Sequence, residues 1–226
     1  MAQGRLSLPD LLDRLESFYG PQEPHFPTEP FEFLVWWYCG YPASDAACTK
    51  GWDKLSAEVG IKPAELLRAK PGKLAAPLKT GGMFPELRAE RIKEAAMRIE
   101  SEFGGDLRAA LSGPLPQARK ILKTFHSIAD PGADRILLFA GIAPIAAVPS
   151  NCVHVLARIL NGKAGKNYSA DYREGQRLIA AELTEKLDSR TRAYLLLKRH
   201  GLELCKAKPK CDECPLHSRC AFFAAR

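Results

Sequence analysis

An all-α fold is what this sequence predicts, and three observations carry that reading. Apolar residues recur at spacings of three and four along nearly the whole chain. No segment alternates convincingly at period two, the mark of a half-buried strand. Helix-start and helix-stop residues bracket the apolar runs at several points. Leu8, Leu11, Leu12, Leu15 and Phe18 form the first stripe, opened by Ser7 and closed by Gly20. A Pro-rich extended connector follows from Pro21 to Pro30. Phe31, Leu34, Val35 and Tyr38 then make a stripe beside Trp36 and Trp37, and Asp45 is positioned to cap a helix carrying Ala46, Cys48, Trp52 and Leu55. Shorter helices are expected near Pro63–Ala69 and Gly72–Thr80, and a long one near Glu86–Phe103. Leu115–Phe125 is amphipathic, and after His126-Ser127-Ile128-Ala129 a new helix opens with Asp130 as cap and Pro131 at its first position, ending at Gly141. Further helices are expected from Ser150 or Asn151, over Tyr168–Leu187 and over Ser189–His200. No internal repeat or low-complexity tract interrupts the pattern.

The length, 226 residues, suits one domain or two small lobes. A net charge of +7 favours a polyanionic partner, and Lys198, Arg199, Lys206, Lys208, Lys210 and Arg219 crowd the C-terminal stretch. The bland alternative is a solvated basic tail. No apolar run is long enough to span a bilayer, and the N-terminus lacks the apolar core of a signal peptide, so a reducing, cytoplasmic setting is expected.

That same stretch holds Cys205-(x5)-Cys211-(x2)-Cys214-(x5)-Cys220. A chain this size builds a core without disulfide staples, so the cluster reads as metal ligands. The spacing differs from the doubled Cys-x2-Cys of a zinc ribbon and is closer to the four-thiolate nests of a [4Fe-4S] cluster, with zinc as the alternative. Cys39, Cys48 and Cys152 read as buried thiols.

A hairpin between two helices, a following helix and a terminal cysteine loop, in that order, resemble the endonuclease III branch of the helix–hairpin–helix DNA glycosylases. The resemblance runs from about Phe31 to Cys220. Its most specific element is His200-Gly201-Leu202-Glu203-Leu204-Cys205, then Lys208-Pro209-Lys210-Cys211, Cys214-Pro215 and Cys220. Weaker matches are Ser44-Asp45, Gly82-Met83 before Ala89-Glu90-Arg91-Ile92, and Val155-x2-Arg158-Ile159. The resemblance implies a two-lobed protein. Residues 31–144 would form a helical barrel with the helix–hairpin–helix at 115–141. Residues 1–30 would pack on a C-terminal lobe of 145–226, whose cluster loop spans 205–220. Double-stranded DNA, damaged or modified, would lie between the lobes, bound by a monomeric, nucleoid-associated protein. Ser127, Ile128 and Ala129 would hold a phosphate, Lys206, Lys208 and Lys210 would follow the backbone, and Tyr38, Tyr41, Ser150 and Asn151 would line the pocket of a flipped base.

The departures from the family pattern carry equal weight. Ser127-Ile128-Ala129 stands where the family hairpin has Gly-hydrophobic-Gly, and the gap between the first two cysteines is one residue short. Pro131, or Ile136 in an alternative register, occupies the place of the catalytic lysine, and neither can form a Schiff base. Pro149 occupies the place of the catalytic aspartate. Asp130, Asp134, His126 and His154 are the remaining candidates for acid–base work. Their plain readings are a cap, a first-turn carboxylate and two packed or surface histidines. Ser150 and Asn151 likewise read as caps, and the aromatic group around Trp36 as core. The loop Gly40-Tyr41-Pro42-Ala43 stands where the family wedges into the duplex and lacks its polar wedge. Two functions are therefore expected: a DNA N-glycosylase without lyase activity, or a catalytically silent protein that recognises lesions. A zinc-stabilised interaction module unrelated to DNA is a third.

Overall fold

The structure, a computed structural model, describes residues 6–165 and 167–225. Its helices in chain order are α1 (Leu8–Tyr19), α2 (Pro30–Tyr38), α3 (Asp45–Glu58), α4 (Pro63–Arg68), α5 (Pro71–Leu78), α6 (Pro85–Phe103) and α7 (Leu107–Leu111). There follow α8 (Leu115–Leu122), α9 (Asp130–Phe139), α10 (His154–Asn161), α11 (Tyr168–Glu182), α12 (Leu187–Glu203) and α13 (Ala221–Ala224). No strand occurs among the described residues, so the all-α expectation holds. The chain divides into two compact units, one joining the segment up to Glu23 to everything from Ala143, the other running from Pro24 to Ile142.

In the first unit, Leu8, Leu11, Leu12 and Leu15 put one face of α1 into a core with Val155, Leu156, Ile179, Leu196 and Leu197. Each such leucine contributes about 1.5–3 kcal/mol when fully buried. Polar contacts fix the register. The Leu8 N–H donates to Glu182 at 2.7 Å, and Arg192 bridges Asp13 and Glu16 at 2.7 and 2.8 Å. Phe18, the last member of the predicted stripe, is exposed instead. Gly201 lets α12 lie against Cys152, since a methyl group there would run into the Cys152 sulfur.

In the second unit, α2 buries Phe33, Leu34, Val35, Trp36 and Tyr38. Arg135 is buried beside them, its guanidinium 4.0 Å over the Phe26 ring and 2.7 Å from the Asp45 carboxylate. That ion pair explains one correction. Ser44, with extended backbone, is the cap of α3 and accepts from the Ala47 N–H at 3.3 Å, which leaves Asp45 inside the helix to neutralise Arg135. Arg88 draws two separate segments together: it donates to the carbonyls of Leu78, Gly82 and Met83 on one side and of Cys39 on the other.

Other helix ends also shift. Ala129, with extended backbone, precedes α9, no side chain caps it, and Asp130 is the first helical residue. Ser150 and Asn151 cap nothing: they lie in a 3-10 turn, Ser150–Cys152, and α10 begins at His154. The expected helix over Tyr168–Leu187 ends at Glu182, and α12 begins at Leu187 rather than Ser189.

Candidate nucleic-acid interface and metal centre

The hairpin between α8 and α9 is built by side chains that local sequence does not connect. Ser127 has φ +60°, the left-handed conformation a glycine adopts without strain. Ile128 is 5% exposed and anchors the turn in the core. From α2, the Tyr38 hydroxyl donates to the His126 carbonyl at 2.9 Å. From α6, three residues at spacings of three and four reach the same turn. Arg91 donates to Ser127 Oγ at 3.4 Å, Glu94 meets His126 Nε2 at 2.9 Å, and Arg98 donates to the Thr124 carbonyl and hydroxyl at 3.1 and 2.8 Å. The bracing by α6 was missed from sequence, where the only signal was a charged row on an amphipathic helix.

The carboxylate candidates are both engaged. Asp130 meets Lys123 at 2.8 Å at the surface, and Asp134, 1% exposed, meets Arg119 at 2.7 Å. Of the pocket candidates in this unit, Tyr38 is buried with its hydroxyl committed to His126, whereas Tyr41 is partly exposed and stacks on Trp37 at 4.2 Å.

In the other unit, Val148 and Pro149 are buried, Ser150 is half-buried and Asn151 is exposed. His154 Nε2 lies 2.7 Å from the Cys205 carbonyl, which ties α10 to the first cysteine of the loop. Arg158 donates to the Lys206 carbonyl at 2.6 Å and towards Cys205 Sγ at 3.9 Å. The loop is laid out by its backbone: Cys205 N–H to His200 at 2.8 Å, Lys210 N–H to Leu204 at 2.9 Å and Cys214 N–H to Cys211 at 3.2 Å. His200 lies between the Tyr19 hydroxyl, 3.1 Å from Nδ1, and Cys214 Sγ, 3.8 Å from Nε2. Burial holds its imidazole down at about 4, so it is neutral at neutral pH. Lys206, Lys208 and Lys210 are all exposed, and Lys210 meets Glu213 at 3.4 Å.

The chemistry of the donor set is the test of fit for a metal. Burial raises the Cys205 thiol and pushes Cys214 up to about 11, and both feel the charges of the other two cysteines. A bound cation reverses that preference, because thiolate is the ligand form. N–H groups of Arg158 and Leu216 already point at sulfur, the latter at 3.4 Å from Cys214 Sγ. Such outer contacts suit thiolate ligands. A donor set of four thiols would fit a soft iron–sulfur or zinc centre. Among the described residues no three His, Cys, Asp or Glu side chains form a ready-made site for a single metal ion.

Comparison with known proteins fits this frame. No protein-family model matches the chain. Endonuclease III from Thermotoga maritima is 26% identical over 207 residues, covering 89% of this chain and 87% of its own length. A thermostable thymine-DNA glycosylase superposes with a TM-score of 0.74 at 19% identity, covering 97% of both chains. A non-covalent endonuclease III–DNA complex gives a TM-score of 0.74 at 18% identity, covering 98% of both. The chain has the fold of endonuclease III.

Within this endonuclease III-like frame the departures acquire coordinates. Pro131, which the resemblance aligns with the family's lysine, lies in the first turn of α9, and Ile136, its alternative in the other register, is buried in the core. Pro149 is buried immediately before the 3-10 turn at Ser150–Cys152. None of the three carries a group that donates a proton or attacks carbon. The turn between α8 and α9 holds no glycine from Lys123 to Ala129, and its left-handed residue is Ser127.

Proposed function

We propose that this chain is a base-excision-repair DNA glycosylase of the endonuclease III-like kind. In this reading it binds duplex DNA as a monomer, recognises a damaged or modified base, and works without a lysine Schiff base. The observation that carries the reading is the hairpin. A turn that has lost its glycines is still held in the left-handed conformation by Tyr38, Arg91, Glu94 and Arg98, from two other helices. That bracing favours a retained DNA-binding element over a relic.

Cys205, Cys211, Cys214 and Cys220 would hold a [4Fe-4S] cluster. When bound, it supplies metal-linked folding energy that fixes the basic loop, and no chemistry at the base. Lys206 and Lys208 then extend from an ordered loop towards phosphates. The thiolate centre and a chromosomal substrate both call for a reducing compartment. No helix among the described residues is long and apolar enough to cross a membrane.

With proline at the lysine position, attack on the sugar falls to water. A C1′–O bond forms, the C1′–N bond breaks, and the base leaves with a proton. His126 and His154 are the histidines nearest the relevant turns, one paired with Glu94 and the other with the Cys205 carbonyl. The engagement of Asp130 and Asp134 in ion pairs favours a second reading, a lesion-binding protein without catalysis. Equilibrium binding to matched duplexes, intact or carrying oxidised, alkylated, deaminated or abasic sites, tests what both readings share. At least tenfold tighter binding to one damaged duplex is expected. Equal affinity for all of them would remove lesion recognition from the account.

A further inference from the structure

The cations around the hairpin are not equivalent. Arg98 is held on both sides, by Glu102 at 2.9 and 3.0 Å and by Thr124. Lys123 is neutralised by Asp130 and Arg119 by Asp134. Arg91 is different. Its guanidinium makes one long bond, Nη1 to Ser127 Oγ at 3.4 Å, and no carboxylate pairs with it among the described residues. It is half-buried, and its bond to Ser127 is exposed to solvent.

A guanidinium carries five N–H donors in a planar fork that matches a phosphate, and this one has donors to spare at the apex of the turn. A side chain at Ser127 and at Ala129 limits how closely an anion approaches the backbone, compared with glycine. A long cationic side chain reaching in from α6 restores the contact from outside the turn. We propose that Arg91 is a phosphate ligand of the hairpin, taking over from backbone approach the task of holding one DNA phosphate. The proposal rests on the DNA-binding reading above.

Duplex binding of the full chain, measured across a salt series, tests it with three variants. Arg91→Gln is expected to weaken binding to intact and damaged duplexes alike, by about threefold to thirtyfold, and to lower the salt slope by about one unit. Arg91→Lys keeps the charge and should keep the slope while losing part of the affinity. Lys93→Gln separates a ligand from a general charge effect. It removes one positive charge from the same helix at a side chain that donates to the Leu67 carbonyl at 3.3 Å and not to the hairpin, so affinity and slope are expected to hold. Wild-type affinity and slope in Arg91→Gln would overturn the proposal. So would equal losses in Arg91→Gln and Lys93→Gln, the mark of a general charge effect, or equal losses in Arg91→Gln and Arg91→Lys at an unchanged slope, the mark of a support of the fold. A wild-type chain without salt-dependent duplex binding would defeat the DNA reading itself, and this proposal with it.

Discussion

Ser127 occupies a left-handed position that costs a non-glycine residue on the order of 1–3 kcal/mol. Glycine relieves that strain and gives back part of the gain in chain entropy. Ser127→Gly is therefore expected to stabilise the protein by about 1 kcal/mol, read as a higher midpoint in thermal unfolding. An unchanged or lower midpoint would mean that the Arg91–Ser127 contact contributes more than an exposed bond of 3.4 Å should. The sequence showed the missing glycines but not the compensation. Tyr38 and His126 are 88 positions apart, and Arg91 and Ser127 are 36 apart. No local pattern joins residues at such distances. The same holds for Asp45, which reads as a cap from its neighbours and serves instead as the counter-ion of Arg135.

At the scale of elements, apolar periodicity located the helices because tertiary burial and helical period agree along them. The ends were less legible. Helix starts near Ser44 and Ala129 are decided by which residue takes extended backbone: at Ser44 two adjacent polar residues compete for that place, and at α9 the apolar Ala129 takes it. The α1 stripe makes a direct prediction: Leu11→Ala should destabilise by about 2–5 kcal/mol, measured by denaturant unfolding, because Leu11 is fully buried in the core of its unit. A loss below about 1 kcal/mol would show that this core collapses around the gap. The cysteine loop makes another. Cys214→Ala should yield colourless protein without absorbance near about 410 nm, since losing a thiolate removes metal-linked folding energy. Brown, soluble Cys214→Ala protein would contradict the ligand assignment. The cysteine spacing was legible in the sequence. The supports from His154, Arg158 and His200 were not, because they act through backbone carbonyls and sulfur across distant segments.

Across the whole molecule, the fold is that of endonuclease III, while the resemblance aligns Pro131 or the buried Ile136 with the family's lysine. The resemblance was readable because hairpin, helix and cysteine loop occur in order. The departures were readable because they fall inside those motifs. Charge adds a molecular-scale prediction. Replacing Lys206, Lys208 and Lys210 by glutamine should weaken binding to every duplex and flatten its salt dependence, with Lys210 contributing least because Glu213 already meets it. Unchanged binding would move the DNA-facing surface away from this loop. The most direct test of a glycosylase without a lysine is single-turnover excision on lesion-bearing duplexes, each reaction split between alkaline heating and neutral quench. The account predicts strand breaks in the alkaline half alone. Breaks of equal yield in the neutral half would require a Schiff-base nucleophile and contradict it. No breaks in either half would leave the lesion-binding reading in its place.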